Sequence, residues 1–164
     1  MHSDYDRDVT PTQYSTYKWA DMDEIETLNN PLYYNELTDK RIRQAANTEI
    51  SNRGYIETND AELIIHYHIV VEDQSIIRND PYGEYSPYWK QQSIIQYKEG
   101  SIIIDFMDAN TNNLVWRGWA TAVINRSSDI NKELISNSIV KIFKEYPWSA
   151  ASDTQRTKRS KPYQ

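Results

Sequence analysis

The chain has 164 residues, 38% of them apolar, 26% charged and 12% aromatic, with 13 Tyr and 5 Trp. That is enough to bury one core and too aromatic for a disordered polymer. Its net charge of −6 disfavours nucleic acid as a general partner, and the lack of cysteine excludes thiol catalysis, disulfides and thiolate metal sites from these residues. No apolar run approaches the roughly 20 residues of a membrane-crossing helix.

Residues 1–8 read as an N-terminal arm, 9–148 as a single α+β domain and 149–164 as a disordered basic tail. Between Asp8 and Trp19, the residues Val9, Tyr14, Tyr17 and Trp19 lie among Thr, Ser and Gln and predict a first strand. Asp21 to Asn30 is acidic and turn-rich, and Pro31 suits the first turn of a helix. From Leu32 to Arg53, Leu37, Ile42, Ala45, Ala46 and Ile50 recur at helical spacing, and Gly54 supplies a stop. Leu63, Ile65, Tyr67, Ile69 and Val71 then alternate as one face of a strand over Glu62–Glu72. Asp73 to Gln92, broken by Pro81, Gly83 and Pro87, is expected to be a long loop.

Ser93–Met107 and Leu114–Ile124 predict two strands of a hairpin whose turn, Asp108 to Asn113, is dense in Asn and Asp. Trp116, Gly118, Ala120 and Ala122 share one face, and side chains this small admit a closely packed helix. Ser127–Asp129 is the expected N-cap of a last helix, whose stripe of Ile130, Leu134, Ile135, Ile139, Ile142, Phe143 and Tyr146 ends before Pro147. The order strand, helix, three strands, helix predicts an α+β fold: a mixed, mainly antiparallel four-stranded sheet with two helices packed on one face.

The sequence offers several candidate sites. His66 and His68, two apart on a strand, project from one face as a two-histidine metal site requires, but a third ligand is not evident, and an ordinary polar strand face accounts for them. Asp108, Asn110 and Asn112 imitate the opening of a calcium loop. Asn113 replaces its glycine and Trp119 its closing glutamate, which leaves a hairpin turn. Glu99, Asp105 and Asp108 are the acids available for carboxylate-pair hydrolysis, against which stands an ion pair of Asp105 with Arg117 across the hairpin. No phosphate loop, nucleophile elbow or dinucleotide fingerprint occurs, so neither catalytic residue, metal nor cofactor is assigned.

If the helices cover one face, Ile64, Val70, Ile103, Met107, Trp119 and Val123 point out of the other, as a binding or oligomer surface does. Tyr82, Tyr85, Tyr88 and Trp89 in the long loop suit stacking on sugar rings or gripping a peptide, or equally a lid over the sheet. Arg156, Lys158, Arg159 and Lys161 in the tail read as solvated bases.

Several segments together resemble a family of small bacterial envelope lipoproteins that share a domain of unknown function, number 4136. They are Ser3-Asp4-Tyr5-Asp6 ahead of Tyr14-Ser15-Thr16-Tyr17-Lys18-Trp19, then Arg41-Ile42, Arg53-Gly54-Tyr55, Ala61-Glu62-Leu63 and Tyr67-His68. The most specific stretch runs from Tyr97-Lys98-Glu99-Gly100 through Ile104-Asp105 and Asp108 to Leu114-Val115-Trp116-Arg117-Gly118-Trp119-Ala120. The 73–92 loop departs from the family in having one glycine and more charge. The resemblance implies export and a lipid-modified cysteine just before Ser3, hence an envelope address in the periplasm or at the cell surface; it lends no activity. The resulting expectation is a non-enzymatic binding or assembly module. It would hold an envelope protein or a glycan, or a second copy of itself, through Trp119, Met107, Ile103 and the loop residues Trp89, Tyr82, Tyr85 and Tyr88. The alternative is a glycan or cell-wall hydrolase using a carboxylate pair.

Overall fold

The computed structural model describes residues 2–5, 13–22, 31–79, 92–126 and 129–150. Its first helix, α1 (Glu36–Asn52), begins where the Asn35 side chain accepts from the Thr38 N–H. It ends where Gly54, at φ 87°, lets the chain turn back and donate to Ser51. The expected helix therefore starts four residues late, because Pro31 to Tyr34 is a turn, and Leu37 is 55% exposed rather than inward. The inward stripe is Thr38, Ile42, Ala46 and Ile50.

Among the described residues six strands form one open mixed sheet: β1 (His2–Tyr5), β2 (Thr16–Trp19), β3 (Ile56–Glu57), β4 (Leu63–Asn79), β5 (Gln92–Asp108) and β6 (Leu114–Ile124), in the order β1-β6-β5-β4-β2-β3. The expectation of four strands is corrected to six. The N-terminal arm supplies β1, which pairs antiparallel with the outer edge of β6, and the short β3 pairs parallel with β2. β2 and β4 are also parallel, with α1 in the crossover between them, as a parallel pair requires. Antiparallel pairing is confined to the β1, β6, β5 and β4 half, so the sheet is less antiparallel than expected.

The larger departure lies at 73–92. β4 and β5 continue in unbroken register out to Asn79 opposite Gln92, so residues 73–79 and 92 of the expected loop belong to a two-stranded ribbon projecting past the end of β6, and 80–91 lie outside the described residues. The second helix, α2 (Lys132–Lys144), is capped by Asn131 rather than by Ser127–Asp129. The Asp129 carboxylate instead accepts from the N–H groups of Asn125 and Arg126.

Both helices pack on the same face of the sheet. Ile42, Ala46 and Ile50 of α1 and Ile135, Ile139, Ile142 and Phe143 of α2 join Leu63, Ile65, Ile104, Phe106 and Trp116 in one core. Arg53 links the helices, donating to the Phe143 carbonyl at 2.6 Å and to Glu49 at 3.0 Å. At Gly118 an added Cβ would meet the Trp116 ring at 2.4 Å and Ile142 at 2.8 Å, so this position sets how closely α2 approaches. The packed chain runs past the expected boundary at 148, for the Ala150 N–H donates to the Arg53 carbonyl. The tail from 151 on lies outside the described residues.

Candidate functional site: the helix-free sheet face

Alternation along β4, β5 and β6 turns Ile64, His66, His68 and Val70, then Ile103, Asp105 and Met107, then Arg117, Trp119 and Val123 away from the helices. Register stacks them in cross-strand rows. Ile64 lies opposite Met107. The next row runs His66, Asp105, Arg117, Asp4, and the one after it His68, Ile103, Trp119, His2. Beyond come Val70, Ser101 and Thr121, then Glu72, Glu99 and Val123.

The expected apolar face is thus crossed by an ionic row. Asp105 is only 4% exposed, yet its carboxylate is gripped by Arg117, whose Nε and Nη2 each donate at 2.6 Å. His68 Nε2 stands 3.6 Å from the same carboxylate. Burial pushes the Asp105 pKa up, but the hydrogen bonds and charge of Arg117, with those of His68, outweigh it and hold the carboxyl below its usual value. Burial, with the His68 charge added, lowers the pKa of His66.

The structure brings Trp119 and Ile103 together as direct cross-strand partners, and the His2 ring packs against Trp119 with centroids 5.5 Å apart. Both are half-buried. Met107 sits four residues along β5 from Ile103, on the far side of the Asp105–Arg117 pair. Val70 and Val123 are exposed. Tyr82, Tyr85, Tyr88 and Trp89 lie outside the described residues.

The acids do not form a hydrolytic pair. Glu99 and Asp105 are six residues apart on one strand, about 20 Å at strand rise, whereas paired glycosidase carboxylates stand about 5–10 Å apart. The Asp108 carboxylate is engaged by the N–H groups of Asn110 and Thr111 and by the Tyr14 hydroxyl, which makes it the organiser of the hairpin turn.

Sequence reasoning gave the β5 side of the ribbon as strand from Ser93 on and missed its β4 side, 73–79. Ile76 and Ile95 face each other across the ribbon, as do Ile77 and Ile94 one rung further, all between 42% and 66% exposed. The repeated Ser-Ile-Ile at 75–77 and 93–95 was the available signal: two β-branched runs placed symmetrically about the loop. Where β6 stops at Ile124, a solvent-open cleft of about 450 Å³ lies between that end and the ribbon, walled by Gln74, Gln96, Tyr97 and the Lys98–Asp73 ion pair.

A family model for a domain of unknown function (DUF4136) matches residues 1–148. The chain belongs to the DUF4136 family. A comparison with curated proteins found no match. Among solved structures, the DUF4136 chain is similar to a PDZ domain protein from Parabacteroides distasonis, with a TM-score of 0.59 and 14% identity. That match covers 90% of this chain and 35% of the other, so the chain spans about a third of that protein's length. The chain is also similar to the PelC dodecamer from Paraburkholderia phytofirmans, with a TM-score of 0.48, 9% identity and coverage of 92% and 97% of the two chains. At 14% identity the likeness to the PDZ domain protein is one of fold.

Proposed function

We propose that this DUF4136 domain is a non-enzymatic binding or assembly module of the bacterial envelope, lipid-anchored upstream of Ser3, that holds an envelope protein or glycan on its helix-free sheet face. The observation that carries this reading is the Trp119–Ile103 pair, left half open beside the fixed Asp105–Arg117 pair on a face no described element covers. An aromatic ring beside a rigid, half-exposed guanidinium gives a flat apolar platform with one oriented donor, which is how binding surfaces combine burial with specificity. The aromatic loop at Tyr82, Tyr85, Tyr88 and Trp89 is a second contact in this reading. The hydrolase alternative gains no support, since the most buried acid on this face is neutralised by a guanidinium and stands about 20 Å along its strand from Glu99.

Retention of envelope components on the immobilised domain tests the reading. Trp119→Ala, folded by circular dichroism, is expected to lose at least about tenfold in retention, as truncation of a central aromatic anchor does. Val140→Ala, on exposed α2 surface, is expected to retain them. Undiminished retention by Trp119→Ala and by Trp89→Ala sinks it. The anchor has its own check: mass spectrometry of the native N-terminus is expected to find a diacylated cysteine, and an unmodified N-terminus contradicts it.

A further inference from the structure

The end of β6 leaves a concave surface beside the ribbon. There the Asp129 carboxylate takes the N–H groups of Asn125 and Arg126 and turns the chain off the sheet, while β4 and β5 run on. The resulting cleft of about 450 Å³ falls within the roughly 300–1,000 Å³ of small-molecule sites, and all of its walls are described residues. Ile69 and Ile102 pack inward, so alternation sets Asp73, Ser75 and Ile77 of β4 and Lys98, Gln96 and Ile94 of β5 on the helix side. Asp73 lies opposite Lys98, with Ile124 of β6 beyond it; Ser75 lies opposite Gln96, and Ile77 opposite Ile94. The first two rungs line the cleft, and the third adjoins it as an exposed apolar shelf.

The chemistry of these rungs selects a ligand. Lys98 Nζ stands 2.8 Å from the Asp73 carboxylate, so the two charges cancel and the cleft favours neither an anion nor a cation. Both side chains stay exposed, and each keeps hydrogen-bonding capacity: the ammonium has further N–H groups and the carboxylate further lone pairs. A donor and an acceptor side by side match two neighbouring hydroxyls of one sugar ring, because each hydroxyl both donates and accepts. The side-chain amides of Gln74, Gln96 and Asn125 and the Ser75 hydroxyl have no partner among the described residues and add donors and acceptors around the pair.

We propose that this cleft is a glycan site: it holds a short neutral oligosaccharide with a vicinal diol bridging Asp73 and Lys98 and the C–H face of a ring over Ile77 and Ile94. A sugar ring is polar at its rim and apolar on its faces, and the cleft offers both surfaces next to each other. An apolar chain would leave the polar walls unmatched. The site lies on the opposite side of the sheet from Trp119, so it goes beyond the role proposed for that face and does not depend on it.

Titration of the isotope-labelled whole chain with cellotriose and with mannotriose, whose vicinal diols are differently disposed, reads the result by amide chemical shifts. At least one is expected to bind with a Kd in roughly the millimolar range, as suits an open cleft, moving the amides of Gln96, Lys98 and Asn125 and sparing that of Trp119. Asp73→Asn and Lys98→Met break an exposed ion pair, which costs the fold little, and each is expected to weaken binding at least about tenfold. No shift with either sugar at about ten times that concentration, or undiminished binding by both variants, overturns the proposal. Shifts grouped around Trp119 also overturn it, and they would support the Trp119 surface, so the two readings fail separately. A response to a Thr/Val-alternating hexapeptide in place of both sugars overturns it too, in favour of strand addition along β5.

Discussion

Removing the Arg117 guanidinium while keeping its aliphatic stem, as Arg117→Met does, strands a carboxylate that is 4% exposed and that the arginine holds by two hydrogen bonds of 2.6 Å. His68, at 3.6 Å, replaces little of that. Leaving a buried charge without its partner costs about 3 kcal/mol. With a urea m-value of about 2 kcal/mol per molar, the unfolding midpoint should fall by about 1.5 M at neutral pH. Replacing the acid as well, in Asp105→Leu, Arg117→Met, removes the stranded charge, so the double variant should be more stable than Arg117→Met alone, with a coupling energy of about 2 kcal/mol. The pH dependence has a fixed sign. Asp105 has a folded pKa held below its unfolded value, so its contribution is complete above the unfolded value near 3.8 and is lost as pH falls through the lower folded one. The deficit of Arg117→Met should therefore shrink in acid, where its Asp105 takes up a proton. Urea melts followed by tryptophan fluorescence between pH 3 and 8 check all three. A loss below about 0.5 kcal/mol at neutral pH, or strict additivity of the two substitutions, would refute the reasoning.

Gly118→Ala should lower stability by about 1–3 kcal/mol, because its Cβ meets the buried Trp116 ring and Ile142. Gly100→Ala should cost less, since its Cβ meets chiefly the end of the Ile124 side chain; paired thermal melts rank the two. Glu62 accepts through one oxygen from the N–H groups of Ser15 and Thr16 and from both their hydroxyls, so Glu62→Ala should loosen β2 and speed amide exchange at those two positions. Equal exchange in the variant and wild type would remove Glu62 from that role. The pKa of His66 is lowered by burial, so the unfolded chain binds more protons and stability should decline as pH falls through the unfolded value near 6.5, levelling off below the folded one. His66→Gln should flatten that slope in urea melts between pH 8 and 5.

How far the sequence carried the fold follows from which forces set each element. Period-2 and period-3.6 patterns located both helices, the central three strands and their inward faces, because burial of Leu63, Ile65, Ile104, Phe106 and Trp116 dictates that spacing. β1 and β3 escaped because four and two residues carry no period, and their pairing depends on free edges elsewhere in the sheet. The β4 side of the ribbon escaped because charged and polar residues at 72–75 weaken the apolar alternation, while main-chain pairing between β4 and β5 continues regardless of it. At the candidate site the outward set Ile103, Met107 and Trp119 and the Asp105–Arg117 pair were legible from alternation across one hairpin. That His66 and Asp4 extend the Asp105–Arg117 row, and His68 and His2 the Ile103–Trp119 row, needed the register with β4 and β1, which no local pattern encodes.

Photo-crosslinking from position 119 in the native envelope, with position 140 as the control, tests the central claim most directly. The account predicts a discrete envelope protein or glycan captured from 119, and not from 140, with capture competed by the unlabelled domain and not by its Trp119→Ala variant. Equal capture from both positions, or none from 119, would contradict a binding role for the helix-free face.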